Sequence, residues 1–180
     1  MKLEGMKVVT LVAEGFEDLE FWVPVMRLRE EGAIVTIAGP KAGDIYPGKN
    51  GLEVTTEISF DQMDAHRYDA VCVPGGWAPD KLRRYDSVKR LVKTLYEQEK
   101  TVAMICHAGL VGISAGIVRG HQATGSEGIK DDLVNAGATW RDDSAFRSGC
   151  IVWGRVVADI PNYCRELVQA LVEQKERLTK

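Results

Sequence analysis

The sequence predicts one α/β domain with a mostly parallel central sheet that helices cover on both faces. Short β-branched runs alternate along the chain with helical stretches, which is the pattern of such a sheet. The 180 residues are 45% hydrophobic and 27% charged, which suits a single core of this size. No repeat, linker or low-complexity segment divides the chain, so we expect a single domain over residues 1–180.

The first half of the chain predicts two core strands, a helix and a hairpin. The run 7–12 (KVVTLV) is apolar and β-branched, and it predicts the first strand. A helix is predicted over 17–31 and ends at Gly32, because glycine commonly follows the last helical turn. The run 33–38 (AIVTIA) predicts the second strand. Segment 43–58 predicts a hairpin or small edge strands, because Gly, Pro and Asn flank an alternating stretch.

The second half continues the alternation of strands and helices. The run 69–73 (DAVCV) predicts a third core strand, which stops at Pro74-Gly75-Gly76. The remaining predicted elements are a helix from 79 or 86 to 99, a central strand over 101–105, helices over 109–115, 129–136 and 163–177, and a late strand over 151–157.

Composition argues against several classes of function. The net charge is -3 and the basic residues are interspersed with acids, so we expect no nucleic-acid partner. No run of about twenty apolar residues could span a bilayer, so we expect no membrane partner and a cytoplasmic location. Residues 1–5, which precede Met6, are too short and polar for a signal peptide. We expect them to form a disordered extension.

The cysteines predict free thiols in a reducing compartment. None of the four shows C-x-x-C spacing, so we expect no structural zinc site and no cofactor. The four are Cys72, Cys106, Cys150 and Cys164.

One of these cysteines stands where an apolar strand runs directly into a small-residue helix. Segment 102–109 reads VAMICHAG. A side chain on such a turn is held away from the sheet, close to the first helical N–H groups and the positive end of the helix dipole. Both effects favour thiolate over thiol. Cys106 is therefore a candidate nucleophile, and a buried, inert cysteine is the alternative.

Other loops at the carboxyl ends of the predicted strands supply partners for this thiol, and open parallel sheets bind ligands at that edge. Glu17 and Glu20 would share one helix face, so either could work as a general acid or base beside the sulfur with a raised pKa. The alternative is that they only complement the helix dipole. An N–H of Gly75 or Gly76 could form an oxyanion hole with the N–H of His107, and a plain loop is the alternative.

The histidines limit the possible bases. Neighbouring residues at a helix start point about a hundred degrees apart, so we expect that His107 does not readily reach Cys106 by a direct hydrogen bond. The other two histidines are His66 and His121, and none follows later in the chain. This excludes the glutamine-amidotransferase arrangement, which uses a late histidine, and disfavours a papain-like relay. A nearby carboxylic acid remains as the proton partner, with His107 at the rim.

Five ordered motifs extend over nearly the whole chain, from Met6 to about Leu171. They are GFEDLE at 15–20, RLREEG at 27–32 with Pro24 before it, PGGWAPD at 74–80, ICH at 105–107 and GIKDD at 128–132. Together they resemble the PfpI family of the ThiJ/PfpI superfamily. The resemblance implies a flavodoxin-like three-layer sandwich that self-associates as a dimer or a hexamer built from dimers.

The resemblance also implies roles for individual residues. Cys106 matches the family nucleophile, and Glu20 matches the acid bonded to it in one branch. Glu17 matches a second pocket glutamate. Asp80 matches an acid that reaches the histidine of a neighbouring subunit in the peptidase branch, although the family commonly has the longer glutamate there. Because aspartate is one methylene shorter, the contact to His107 is in doubt.

Three hypotheses follow from the site and the resemblance. We prefer a thiol enzyme that acts on small α-oxoaldehydes or their adducts, like the glyoxalases and deglycases of the superfamily, with Cys106 as nucleophile and Glu20 as proton shuttle. An intracellular cysteine peptidase is the first alternative. The second is a stress-response chaperone or redox sensor that works through oxidation of Cys106.

Overall fold

A computed structural model describes residues 1–179 of the chain. Its strands are β1 (Lys7–Leu11), β2 (Ile34–Gly39), β3 (Ile45–Pro47), β4 (Glu53–Thr55), β5 (Ile58–Ser59), β6 (Ala70–Val73), β7 (Thr101–Ile105), β8 (Gln122–Ala123), β9 (Thr139–Trp140), β10 (Ala145–Ser148) and β11 (Ile151–Gly154). Its α-helices are α1 (Asp18–Glu30), α2 (Ala78–Leu82), α3 (Asp86–Glu97), α4 (Gly109–Ala115), α5 (Lys130–Asn135) and α6 (Ile160–Leu178).

The central sheet has seven strands in the order β10-β11-β7-β6-β1-β2-β5. All neighbours in it are parallel except β10 and β11, which form an antiparallel pair at one edge. The chain first builds outward from β1 through β2 to β5, and then continues on the other side of β1 with β6. The strand order therefore reverses between β1 and β6, and ligands of such sheets bind at this point. The predicted fold class is confirmed.

The core lies on both faces of this sheet. Every residue of β6, β7 and β11 is buried, which explains why these strands are continuous apolar runs in the sequence. Helix α3 buries one stripe against the sheet at the positions that its helical period predicts. The stripe consists of Val88, Leu91, Val92 and Leu95.

Several predicted boundaries differ from the observed ones. The helix predicted from 79 or 86 to 99 is two helices, α2 and α3. The strand predicted over 151–157 stops at Gly154, because a 3₁₀ turn precedes α6. Helix α6 starts at Ile160, ahead of the predicted start at 163, and Pro161 in its first turn suits a helix start.

The expectation that residues 1–5 are a disordered extension is wrong. Leu3 is 0% exposed and belongs to the core. Its N–H donates to the carbonyl of Glu31 at 2.8 Å, and Lys175 Nζ donates to the carbonyl of Glu4 at 2.7 Å. The start of the chain is thereby fastened to the ends of α1 and α6.

The cysteines follow the prediction of free thiols. None of the four forms a disulfide; Cys72 and Cys164 are buried, whereas Cys106 and Cys150 are half-buried. Over residues 1–179, no helix combines the length and the apolar character that crossing a membrane requires.

Gln174 ties α6 to the starts of β6 and β7, and its replacement by leucine tests this connection. Its Oε1 accepts from the Thr101 N–H at 2.9 Å and from Thr101 Oγ1 at 2.7 Å, and its Nε2 donates to the Asp69 carbonyl at 2.8 Å. Gln174→Leu leaves buried polar groups without partners, so we expect the free energy of unfolding to fall by about 1–3 kcal/mol in urea denaturation. The exposed control Gln169→Leu should change it by less than about 0.5 kcal/mol. Equal effects of both variants would contradict this role.

Candidate active site

Loops from three strands meet at the carboxyl edge of the sheet, as the sequence predicted. The Glu17 N–H donates to the Gly75 carbonyl at 3.0 Å, and the Trp77 N–H donates to the Gly15 carbonyl at 2.8 Å. These bonds join the loop after β1 to the loop after β6. Cys106 follows β7 directly and lies in the same cleft as Glu17 and Trp77.

Cys106 adopts a backbone conformation that residues other than glycine rarely adopt. Its φ is +61°, in the left-handed region. A short 3₁₀ turn, Cys106–Ala108, then leads into α4, and the Cys106 carbonyl accepts from the Ser126 N–H at 3.1 Å. Such strain costs on the order of 1–3 kcal/mol and persists where the surroundings hold it. The turn is a strained elbow that projects the thiol into the cleft.

Gly75 lies between the carboxylate of Glu20 and the side chain of Cys106. The carboxylate is 3% exposed, and its Oε1 accepts from the Gly75 N–H at 3.0 Å. A Cβ atom added to Gly75 would overlap Oε1 of Glu20 and would lie 2.7 Å from the Cβ of Cys106. The other oxygen, Oε2, is buried and has no hydrogen-bond partner among residues 1–179. Glycine is therefore required at position 75, and Oε2 is free to exchange a proton.

Burial raises the pKa of Glu20 to about 7, and the nearby charge of Glu17 adds to the effect. The N–H of Gly75, a hydrogen bond with the Cys106 thiol and the charge of Lys49 lower the pKa of Glu20, and each of them is weaker than burial. The sequence predicted such a raised pKa for one of the two glutamates. A carboxyl with this pKa both gives and takes a proton near neutral pH.

The thiol itself does not follow the prediction. Burial raises the pKa of Cys106 to about 12, and the charge of Glu20 acts in the same direction, whereas the N–H groups of His107 and Gly76 lower this pKa. The expected preference for thiolate is therefore wrong for the free site, because desolvation outweighs the helix start. The thiol must lose its proton as it reacts.

His107 reaches the thiol, contrary to expectation. Its Nδ1 lies 3.3 Å from Cys106 Sγ. The angular spacing used in the prediction holds for an α-helix, whereas Cys106 has a positive φ and starts a 3₁₀ turn. Burial, followed by the charge of Lys49, lowers the pKa of His107, so the ring is neutral near pH 7 and can accept a proton.

The N–H groups of Gly75 and Gly76, the two candidate oxyanion donors, have different partners. Gly75 gives its N–H to Glu20, so it cannot serve an oxyanion. Gly76 has a φ of +77°, and its N–H, like that of His107, interacts with the sulfur. The N–H groups of Gly76 and His107 therefore remain as the pair of candidate donors beside the Cys106 sulfur.

Glu17 lines the cleft and also caps the N-terminus of α1. Its Oε2 accepts from the Glu20 N–H at 2.8 Å, and its Oε1 accepts from Asn50 Nδ2 at 3.2 Å.

Asp80 is exposed and pairs with Arg84, four residues further along the chain. Its contact with His107 of a neighbouring copy stays a prediction.

The cleft has a volume of about 750 Å³, within the usual range for small-molecule sites. Two of its lining residues were not predicted, because no local pattern in the sequence indicates that they face the cleft. They are Lys49, in the turn between β3 and β4, and Lys81, in α2. Leu110, Ser126 and residues 156–158 also line the cleft. Within residues 1–179 no three His, Cys, Asp or Glu side chains are grouped so that they could hold a metal ion.

Residues 6–170 match the model of the DJ-1/PfpI family. The chain belongs to this family. A Pyrococcus horikoshii protein named as a deglycase is 40% identical over 166 residues, which cover 92% of this chain and 99% of that protein. A Bacillus subtilis protein named as a candidate cysteine protease is 35% identical over 165 residues, covering 92% of this chain and 98% of that protein.

A solved structure supports the same assignment. It is a two-domain protein from Anabaena variabilis that contains DJ-1/ThiJ/PfpI-like and ferritin-like domains. The TM-score is 0.90 at 35% identity, and the match covers 92% of this chain and 48% of that chain. This member of the DJ-1/PfpI family therefore spans about half the length of the Anabaena protein.

The Glu20 charge should slow the reaction of Cys106 with an added electrophile. At pH 8 we expect Glu20→Gln to be alkylated by iodoacetamide faster than the unchanged protein. The gain is about threefold to fourfold for each unit by which the thiol pKa falls, because a less basic thiolate is also less nucleophilic. Peptide mass spectrometry follows Cys106 separately from the other cysteines. The control Glu53→Gln removes an exposed carboxylate of β4, outside the cleft, and should leave the rate unchanged. Because iodoacetamide reacts with the thiolate, this rate reports the thiol pKa. Slower alkylation of Glu20→Gln would contradict the effect of the Glu20 charge on that pKa.

Proposed function

We propose that this chain is a cysteine-dependent enzyme without a cofactor that acts on small α-oxoaldehydes or their adducts, as a glyoxalase or deglycase. The observation that carries the proposal is the buried Glu20 carboxyl, which lies beside Cys106 across Gly75. This carboxyl has a pKa of about 7 and one oxygen without a partner among residues 1–179. Such a pair can form a bond from sulfur and accept the displaced proton in one step.

The first step is addition of the thiol to the aldehyde. Cys106 Sγ bonds to the aldehyde carbon as Glu20 takes the thiol proton. The aldehyde oxygen gains negative charge and accepts hydrogen bonds from the N–H groups of Gly76 and His107. Glu20 then returns the proton to this oxygen, which gives a neutral hemithioacetal.

The second step moves a proton along the substrate. Glu20 removes the proton from the carbon that carries sulfur, and the hydroxyl proton on that carbon passes to the oxygen of the adjacent carbonyl, which gives an enediolate. Glu20 then delivers its proton to the adjacent carbon, and the carbon that carries sulfur becomes the thioester carbonyl. The product is a thioester of a 2-hydroxy acid, which water hydrolyses to free Cys106. For methylglyoxal, the sum is addition of one water to give lactate, with no net oxidation or reduction. In an adduct on an amine, the amine leaves when sulfur takes its place.

The name of the Pyrococcus relative supports this proposal, because the match extends over 99% of that protein at 40% identity.

Peptide cleavage is a second candidate, favoured by the 3.3 Å contact between Cys106 Sγ and His107 Nδ1. The Bacillus relative named as a candidate protease supports it. A neutral His107 can take the thiol proton and return it to the amine leaving group, as a peptidase requires. A fluorogenic peptide panel tests this candidate: cleavage that disappears in both Cys106→Ser and His107→Ala would favour it over the aldehyde reaction.

Methylglyoxal consumption with formation of lactate is the direct test of the preferred function. We expect turnover to vanish in Cys106→Ser, because the nucleophile is lost. It should fall by about 10²–10⁴-fold in Glu20→Gln, which cannot move protons. Cys150→Ser removes a half-buried thiol outside the cleft and serves as control. Unchanged turnover in either site variant would refute the mechanism.

The pH dependence identifies the base. Glu20 must be ionised to take the thiol proton, and its pKa is raised to about 7, so kcat/KM should rise as the pH increases through about 7. Glu17→Gln removes a charge that raises this pKa and should move the rise to lower pH. The rise should persist in His107→Asn. If His107→Asn abolishes it, His107 is the base.

A further inference from the structure

The turn between β3 and β4 is built against a buried carboxylate at the start of α1. Asp18 is 2% exposed; its Oδ1 accepts from the Asn50 N–H at 2.9 Å and its Oδ2 accepts from the Leu52 N–H at 2.8 Å. A Cβ atom on Gly48 would overlap the Asp18 carboxylate, so this position requires glycine. An exposed surface turn is thereby held in one place.

The same turn carries Lys49 to the cleft. The Lys49 N–H donates to the Phe16 carbonyl at 2.9 Å, and the neighbouring Asn50 side chain donates to Glu17 Oε1 at 3.2 Å. Lys49 then lines the cleft together with Cys106. The backbone of this lysine is thus fixed relative to the nucleophile, while its side chain is exposed.

Of the two lysines that line the cleft, Lys49 is the one without a carboxylate partner in residues 1–179. Lys81, the other lysine of the cleft, lies 3.3 Å from a carboxylate oxygen of Glu14. Lys49 forms no ion pair with any carboxylate in residues 1–179. Its charge opposes the raised pKa of Glu20 and lowers the pKa of His107, so the ammonium group acts on both groups beside the sulfur.

We propose that Lys49 is a specificity-determining residue that binds a carboxylate of the substrate. The site then prefers α-oxoaldehyde adducts of carboxylate-bearing compounds, such as amino acids and thiol acids, over neutral adducts. An ammonium group on a fixed turn pairs well with a carboxylate, because a charged hydrogen bond is stronger than a neutral one. The inference rests on the proposed function and adds the substrate class.

The size and lining of the cleft fit such an adduct. Its volume of about 750 Å³ exceeds what methylglyoxal alone would occupy. The wall contributed by Leu110 and residues 156–158 is largely apolar and can cover the uncharged part of an amino-acid-sized molecule.

The test compares two adducts that differ only in charge. Methylglyoxal forms hemithioacetals with N-acetylcysteine, which has a carboxylate, and with N-acetylcysteine amide, which is neutral. We expect the unchanged protein to show a kcat/KM about threefold to tenfold higher on the carboxylate adduct. In Lys49→Gln the ratio should fall to about one. Lys49→Glu should lower it below one. Both variants alter an exposed side chain and leave the backbone bonds of the turn intact.

Lys41→Gln is the matched control, because it removes an equal charge from an exposed lysine just before β3, outside the cleft. It should keep the preference of the unchanged protein. Added salt should reduce that preference, since it screens the pairing. Equal rates on both adducts in the unchanged protein, or a ratio that Lys49→Gln does not alter, would overturn this inference while the proposed function stands. If the unchanged protein consumes neither adduct nor methylglyoxal, the proposed function fails as well.

Discussion

The peptide unit of Gly75 is the contact on which the geometry of the site depends. Its N–H donates to Glu20 at 3.0 Å, and its carbonyl accepts from the Glu17 N–H at 3.0 Å. Because glycine has no Cβ, Glu20 and Cys106 can approach each other across it. One residue thereby joins the loop after β6 to the start of α1 and fixes the distance between carboxyl and thiol.

This close, buried arrangement determines the protonation of the resting site. Burial raises the pKa of both Glu20 and Cys106, so the sulfur retains its proton and the carboxyl titrates near neutral pH. Oε2 of Glu20 is buried without a partner among residues 1–179, and Cys106 has a strained φ of +61°. Both features cost stability, and the surrounding fold offsets this cost to keep the site reactive.

Much of the fold could be predicted because its central strands are buried on both faces and are continuous apolar runs in the sequence. For β7 and α4 even the boundaries were correct. Strands β8 and β9 were missed, since two residues are too few to show a period. Strand β10 was missed because only one of its four residues is buried, so it is not an apolar run. The burial of Leu3 was also missed, because it depends on a bond to Glu31 that no local pattern indicates.

For the site, the sequence by itself determined the nucleophile candidate, the glutamates near it and the edge of the sheet where they meet. Local spacing and the order of strands are sufficient for this. Only the tertiary structure decided that His107 lies within hydrogen-bonding distance of Cys106 and that the Gly75 N–H donates to Glu20. It also decided that Lys49 lines the cleft. These outcomes depend on distances, burial and hydrogen bonds between segments far apart in the chain. Such contacts leave no periodic signal in the sequence.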